Sequence, residues 1–209
     1  MPKIEPFEKH TKQYEDWFEN NKYAYQSEIN AVKLLMPDFK NGVEVGVGSG
    51  KFASPFGIRF GVEPSAKMAD IAWRRDIKVI EGVGENLPLE NESFDMVLMI
   101  TTLCFLDDVK KAFFEIYRVL KKGGFFINGF VDKNSRIGKL YQKNKDRSIF
   151  YKPAVFYSVK DVIRPLKKTG FIDYKFSQTI FNTLDKVNEI QEVKEGYGEG
   201  SFVVIRARK

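Results

Sequence analysis

Short apolar runs and helical patterns alternate through most of the chain. Each run is bounded by Gly or Pro and is nearly continuous in apolar character, which is typical of buried strands in a parallel sheet covered on both faces. This pattern predicts strands at 43–47, 58–62, 77–80, 94–100 and 125–131. A period of about 3.6 residues predicts helices at 10–22, 23–36, 65–75, 109–121 and 159–169.

The last part of the chain has a different pattern. Residues 171–181 and 201–207 are strand candidates with no convincing helix between them, so they are expected to pair antiparallel. The run Lys121–Gly124 predicts a helix stop, with cations in the last turn followed by glycine. The predicted fold is therefore α/β: a Rossmann-like, doubly wound, mostly parallel seven-stranded sheet with an antiparallel last strand and an N-terminal helical lid.

Composition narrows the function classes. The 209 residues fit one domain, 1–209. One cysteine and one histidine exclude a disulfide framework and argue against a His/Cys zinc site, so no metal is expected. The formal charge of +6 could suit nucleic acid, but the lysines are scattered, which favours a solvated surface. Without a membrane-length apolar run or a signal-peptide pattern, a cytoplasmic location is expected.

The stretch 43–51 (VEVGVGSGK) carries the candidate chemistry. A predicted buried strand leads directly into alternating glycines, where the backbone can approach a ligand and a helix start can offer free N–H groups. Phe52 follows Lys51 where a phosphate loop needs Ser or Thr, and Lys51 occupies the last glycine position of a dinucleotide fingerprint. Both of those ligand classes are therefore disfavoured.

The stretch instead resembles the first motif of class I S-adenosylmethionine-dependent methyltransferases, an acidic residue, one spacer and then G-x-G-x-G. The resemblance continues in register through roughly 41–131: GVEPS at 61–65 is similar to the second motif, GVGENLPL at 82–89 to the adenine loop, and EIYRVLKKGG at 115–124 to the element before strand five. It is similar to the small-molecule methyltransferases of the ubiquinone/menaquinone-biosynthesis type.

The resemblance implies S-adenosyl-L-methionine as cofactor and assigns roles to individual residues. Glu44 would bind the ammonium of the methionine moiety, Glu63 the ribose hydroxyls, and Thr101 and Leu103 would flank the methionine arm. Val83 stands where many relatives carry Asp, so adenine recognition would depend on the backbone at Gly84 and Glu85 or on the Glu85 side chain. The implied cofactor-binding residues are Glu44, Gly46, Gly48, Ser49, Gly50, Glu63, Pro64, Gly84, Glu85, Thr101 and Leu103.

The resemblance also divides the chain into a helical lid (1–36), a cofactor-binding core (41–131), an insertion covering the acceptor pocket (132–157) and a C-terminal helix and strand pair (158–209). No catalytic residue is identified; weak candidates are His10, Tyr14 and Asp132. Cys104 lies in an apolar setting without a neighbouring cation in sequence, which favours a structural role over a nucleophilic one.

Methyl transfer requires alignment and water exclusion more than a strong base. Once the core is assigned, nothing like a separate target-recognition or RNA-binding domain remains, which favours a small-molecule acceptor, methylated on N or O. Aromatic residues of the lid and insertion are expected to cover its pocket, and the lid carboxylates favour a small amine; these are Glu15, Asp16, Glu19 and Glu28. Nucleic acid is disfavoured and no membrane partner is expected, the protein being a monomer or homodimer. An RNA or protein methyltransferase and a non-catalytic S-adenosylmethionine-binding protein remain as alternatives.

Overall fold

The computed structural model describes residues 3–209. The helices are α1 (Glu5–Lys9), α2 (Thr11–Asn20), α3 (Lys22–Leu35), α4 (Ala66–Trp73), α5 (Val109–Val119), α6 (Arg136–Lys143) and α7 (Val159–Thr169). The strands are β1 (Gly42–Val45), β2 (Phe60–Val62), β3 (Lys78–Ile80), β4 (Phe94–Ile100), β5 (Leu120–Val131), β6 (Ile172–Thr179), β7 (Lys194–Glu195) and β8 (Phe202–Arg208).

The strands form one sheet in the order β3-β2-β1-β4-β5-β8-β6-β7. Strands β1 to β5 are parallel, and β8 lies antiparallel between β5 and β6. The chain leaves β1 toward β2 on one side and returns to β4 on the other, so a topological switch point lies at the carboxyl end of β1. The predicted doubly wound sheet with an antiparallel last strand is confirmed.

Both faces of the sheet are covered, as the near-continuous apolar runs predict. In β4, Val97 and Met99 face the cluster under α5 and α7, whereas Met96 and Leu98 face the cluster under α3 and α4. This alternation is the two-residue period of a strand, and both sets of side chains are fully buried. No helix within residues 3–209 has the length and apolar character needed to cross a bilayer.

Several predicted boundaries are wrong. The sheet has eight strands instead of seven, because the two-residue β7 pairs with Ser177 and Gln178 of β6. The predicted stop at Lys121–Gly124 lies inside β5: α5 ends at Val119, and Leu120 already has extended backbone and pairs with Phe94.

Two helices were not predicted. The short helix α1 precedes the predicted first helix, and α6 lies in the insertion. The Ser135 side chain accepts a hydrogen bond from the Gly138 amide and so caps the start of α6.

Candidate functional site

The carboxyl ends of β1, β2 and β4 open into a cavity of about 1060 Å³. Residues of α1, α2 and α3 form part of its wall, and residues between 140 and 151 form another part. The predicted site residues that line it are Gly46, Gly48, Glu63, Pro64, Gly84, Glu85, Thr101 and Tyr14. The sheet edge thus brings together motifs that are separated by more than fifty residues in the sequence (Gly46 and Thr101).

The turn after β1 is held by hydrogen bonds to two backbone carbonyls. The Gly46 amide donates to the Val62 carbonyl at 2.8 Å, and the Thr102 hydroxyl donates to the Gly46 carbonyl at 3.1 Å. Gly48 has φ +54°, and a Cβ there would lie 3.2 Å from the Tyr14 hydroxyl oxygen. Because the left-handed backbone and the close tyrosine both exclude a side chain, the turn keeps its backbone open toward the cavity.

Gly50 has a different role from the other two glycines of the motif. It has φ +84°, and a Cβ there would lie 2.4 Å from the Ile77 Cδ1 atom. The structure therefore explains this glycine by its packing against Ile77, the residue before β3, and Gly50 does not line the cavity. Ser49, between the two, is fully buried and its hydroxyl has no hydrogen-bond partner within the described residues.

Glu63 follows β2 and is 8% exposed. Its Oε2 accepts the Gly48 amide at 2.9 Å and its Oε1 accepts the Ser65 amide at 2.9 Å. Burial raises the pKa of this carboxyl to about 7, although the two amides act in the opposite direction. The carboxylate thus connects the turn after β1 to the start of α4, and each oxygen keeps acceptor capacity for a hydroxyl group.

Glu44 is 1% exposed, and its Oε2 is buried with no hydrogen-bond partner within residues 3–209. Burial raises the pKa of Glu44 well above its ordinary value; the Ala53 amide opposes this rise and the charge of Glu63 adds to it. A buried carboxylate oxygen without a donor is costly unless a ligand supplies the donor. Glu44 does not itself line the cavity, but a ligand ammonium group that reached it at this end of the sheet would supply the missing donor.

The loop after β3 also contacts the cavity. Gly84 leaves no room for a side chain, because a Cβ there would lie 2.9 Å from the Leu106 Cδ2 atom. The Glu85 carboxylate accepts the amides of Asp107 and Asp108 at 2.7 and 3.2 Å. Both amides bind Oε1 of Glu85, which ties that carboxylate to the start of α5, and Gly84, which has no side chain, presents its backbone to the cavity.

The residues after β4 divide into two groups. Thr101 has φ +51° and lines the cavity, and its amide donates to the Gly129 carbonyl at 2.8 Å. Leu103 is 1% exposed and packs in the core under α5, so it does not line the cavity. Burial raises the pKa of the Cys104 thiol to about 12, which agrees with the structural role expected for it.

The three weak catalytic candidates lie in different places. Tyr14 lines the cavity; burial, and then the charges of Glu44 and Glu63, raise the pKa of its hydroxyl. His10 packs its ring 6.5 Å from that of Phe150 and does not line the cavity. The Asp132 carboxylate accepts the Asn134 and Val159 amides, so it orders the chain around the insertion instead of facing the cavity.

The wall opposite the sheet edge is aromatic. Phe7 contacts Phe105 and Phe150 with ring centroids 5.1 and 5.5 Å apart, and Tyr141 stacks on Tyr151 at 4.6 Å. Some of the aromatic residues that were predicted to lie near the site in the lid and insertion do line the cavity. They are Tyr14, Trp17, Phe18, Tyr141, Phe150 and Tyr151. Phe7 and Phe105 were missed, because one lies in the unpredicted α1 and the other in a short turn after β4.

A further carboxylate, Glu28 of α3, lines the cavity and is 6% exposed. The sequence offers only a weak signal for it, an acidic residue among Ala24, Ile29 and Val32 on a buried face. Within residues 3–209, no three His, Cys, Asp or Glu side chains are grouped so as to hold a metal ion.

Comparison with known proteins assigns this architecture to a family. A model described as a methyltransferase domain matches residues 43–128. The chain is 50% identical to a SAM-dependent methyltransferase of Thermotoga maritima, described as a possible histamine N-methyltransferase; its crystal structure aligns over 99% of both chains with a TM-score of 0.96.

Two further relatives differ in how much of this chain they match. An uncharacterized protein of Methanocaldococcus jannaschii is 49% identical over 97% of this chain and 98% of its own length. A ubiquinone/menaquinone biosynthesis C-methyltransferase of Campylobacter jejuni is 30% identical over 55% of this chain and 59% of its own length. Similarity to the first relative extends over the whole chain, whereas similarity to the second covers just over half of it.

Proposed function

This chain belongs to the class I S-adenosylmethionine-dependent methyltransferases, and we propose that it transfers the methyl group to a nitrogen or oxygen atom of a small molecule, with a small amine as the first candidate. One observation carries this proposal. The carboxyl ends of β1, β2 and β4 open into a walled cavity of about 1060 Å³, which exceeds the roughly 300–1,000 Å³ of ordinary ligand pockets. Such a volume suits a cofactor and a small acceptor together.

The residues at the sheet edge fit the cofactor. We propose that Glu44, whose Oε2 lacks a donor, accepts the ammonium of the methionine moiety, and that Glu63 accepts the ribose hydroxyls beside its two amide bonds. Gly46 and Gly48 would present backbone to the methionine arm, with Thr101 on the other side, and the backbone of Gly84 and Glu85 would contact adenine.

Pro64 lines the cavity beside Glu63 and would contact the sugar, as first assigned. Ser49, Gly50 and Leu103 do not line the cavity: the Ser49 hydroxyl is buried, while Gly50 and Leu103 would act through packing.

When bound, the cofactor supplies a methyl carbon that its sulfonium makes electrophilic. The protein then has to align the acceptor with that carbon and exclude water. The rings of Phe7, Tyr141 and Tyr151 enclose the space opposite the sheet edge, and aromatic faces attract cations. Segments 1–36 and 132–157 would therefore work as the cover of the acceptor pocket.

The test is methyl transfer from labelled S-adenosylmethionine to a panel of small amines, alcohols and phenols. Histamine belongs in that panel because the Thermotoga maritima relative is described as a possible histamine N-methyltransferase. We expect label in a small product detected by mass spectrometry. Label found only in added RNA or protein, or tight cofactor binding without transfer to any acceptor, would contradict the proposal.

A further inference from the structure

Glu28 is the carboxylate of the cavity wall that lacks a partner. It is 6% exposed and lines the cavity, and no hydrogen bond or ion pair to its carboxylate is found within residues 3–209. The acidic residues of the neighbouring helix α2 differ: they pair with Arg75 at 2.5 Å (Glu15), Lys12 at 2.6 Å (Asp16) and Lys51 at 3.4 Å (Glu19). Glu28 is thus the acidic side chain of this region left for a ligand.

No cation balances the Glu28 carboxylate within residues 3–209. Burial alone raises the pKa of Glu28 to about 8, and no basic side chain contributes to that shift. Its negative charge helps to raise the hydroxyl pKa of Tyr141 in α6 and of Tyr151 in the insertion, although burial is the largest cause in each. Both of these tyrosines line the cavity with Glu28, whereas the Tyr25 hydroxyl of α3 donates to the Lys51 carbonyl.

The basic residues that line the cavity act elsewhere. Lys3 pairs with Asp107 at 3.2 Å, just before α5, and Lys111 lies in the first turn of α5. Arg147 is exposed, and no ion pair joins it to Glu28 within residues 3–209. Above its pKa of about 8, the Glu28 carboxylate therefore presents an unbalanced negative charge to the cavity that the stacked rings of Tyr141 and Tyr151 also line. This combination binds ammonium groups and disfavours anions.

We propose that Glu28 binds the ammonium group of an amine acceptor that is cationic in solution and takes one proton from it. This inference rests on the proposed function and deepens it by naming the acceptor class. The N–H bond breaks, the proton passes to the Glu28 carboxylate, and its electron pair stays on nitrogen. The neutral amine can then form its bond to the methyl carbon while the bond between that carbon and the sulfonium sulfur breaks, its electron pair staying on sulfur. The methylated product leaves as an ammonium, and the proton leaves Glu28 for solvent afterwards. A low-dielectric site favours this neutral pair over the separated charges.

Binding of a matched probe pair tests the ammonium site. We would titrate 2-phenylethylamine and 2-phenylethanol into wild type, Glu28→Gln and the control Glu19→Gln, whose side chain is 80% exposed. Wild type and the control should bind the amine at least about tenfold tighter than the alcohol, and Glu28→Gln should lose this preference. Equal binding of both probes by wild type, or a preserved preference in Glu28→Gln, would overturn the proposal.

The proton step has its own readout. With an amine that accepts the label, the acid limb of kcat/KM should lie near the pKa of Glu28 in wild type and move up to the pKa of the free amine in Glu28→Gln. An unmoved limb would exclude proton transfer to Glu28. Binding of S-adenosylhomocysteine checks that the variant is folded. If small amines are methylated equally well by Glu28→Gln, only this inference fails; if only RNA or protein is methylated, the proposed function fails.

Discussion

Two buried carboxylates line the same cavity and are stabilised in different ways. Glu63 accepts two backbone amides, from Gly48 and Ser65, whereas Glu28 accepts none within the described residues. Burial raises both pKa values, to about 7 for Glu63 and about 8 for Glu28. The sheet edge is therefore organised by the protein's own backbone before any ligand arrives, while the Glu28 carboxyl of α3 receives no hydrogen bond or counter-charge from the described residues.

This difference corresponds to the two tasks of the cavity. A cofactor of fixed chemistry is served by donors and acceptors held by a rigid sheet, which cost little to reorganise on binding. On the proposal made above, the acceptor is selected by its positive charge, which would pair with the Glu28 carboxylate. The comparison predicts that variants on the two sides should separate cofactor affinity from acceptor selection.

The largest effect is expected for Glu63→Ala. On the proposed assignment this change removes both ribose contacts, and it leaves the Gly48 and Ser65 amides without their acceptor. Hydrogen bonds to charged groups contribute about 1.5–3 kcal/mol each, so the loss of two should lower cofactor affinity at least about 100-fold. Titration calorimetry with S-adenosylhomocysteine measures it.

Glu28→Gln is the matched control for that measurement, because it changes a carboxylate on the other wall of the same cavity. Its cofactor affinity should stay within about threefold of wild type. If both variants lost cofactor affinity equally, the two ends of the cavity would not be separate and the comparison would fail.

A second, smaller effect concerns stability and pH. The ordinary pKa of Glu28 is 4.5 and burial raises it to about 8, so between these values the folded chain holds a proton that the unfolded chain has lost. The free energy of unfolding must then fall as pH rises through that window and stay low above it. At about 1.4 kcal/mol per pH unit the loss is bounded at about 5 kcal/mol; cavity water should reduce it to about 2 kcal/mol.

Urea unfolding at pH 5 and pH 9 measures this effect on the ligand-free protein. Glu28→Gln should match wild type near pH 4.5 and be more stable by about 2 kcal/mol at pH 9. Glu63 titrates in both proteins and cancels in the difference. Equal stability of the two proteins at pH 9 would show that Glu28 has a donor or enough water to remain charged at no cost.

The sheet was predictable because its signals are local. Val97 and Met99 alternate with Met96 and Leu98 inside one continuous apolar run. Such a run predicts a strand with both faces buried, without any knowledge of the elements that cover it. The failures come from longer-range pairing. Leu120 continues a helical pattern, yet it pairs with Phe94 and so becomes the first residue of β5. Strand β7 has only two residues and is therefore too short to show a periodic pattern of apolar positions.

The same contrast holds for the site. Glu63 follows a strand and precedes a helix start, so its position could be predicted from neighbouring residues. Glu28 faces the cavity only because α3 packs on β6 and β8, which the chain reaches about 150 residues later. Asp132 was a weak catalytic candidate, but its carboxylate accepts the Val159 amide, a contact that no local pattern indicates.

The smallest expected effect concerns the contact between α1, whose Phe7 belongs to the aromatic wall, and the start of α4, which follows Glu63. Glu8 of α1, in the aromatic wall, accepts the Ser65 hydroxyl at 2.6 Å and the Lys67 amide at 3.3 Å at the start of α4. Because Glu8 is partly exposed, water can replace it, and Glu8→Ala should cost about 0.5–1 kcal/mol. Cofactor affinity should fall only about threefold, since Glu63 keeps its amides. Calorimetry and thermal unfolding measure both; a loss as large as that of Glu63→Ala would mean that α1, and not the sheet edge alone, organises the cofactor end.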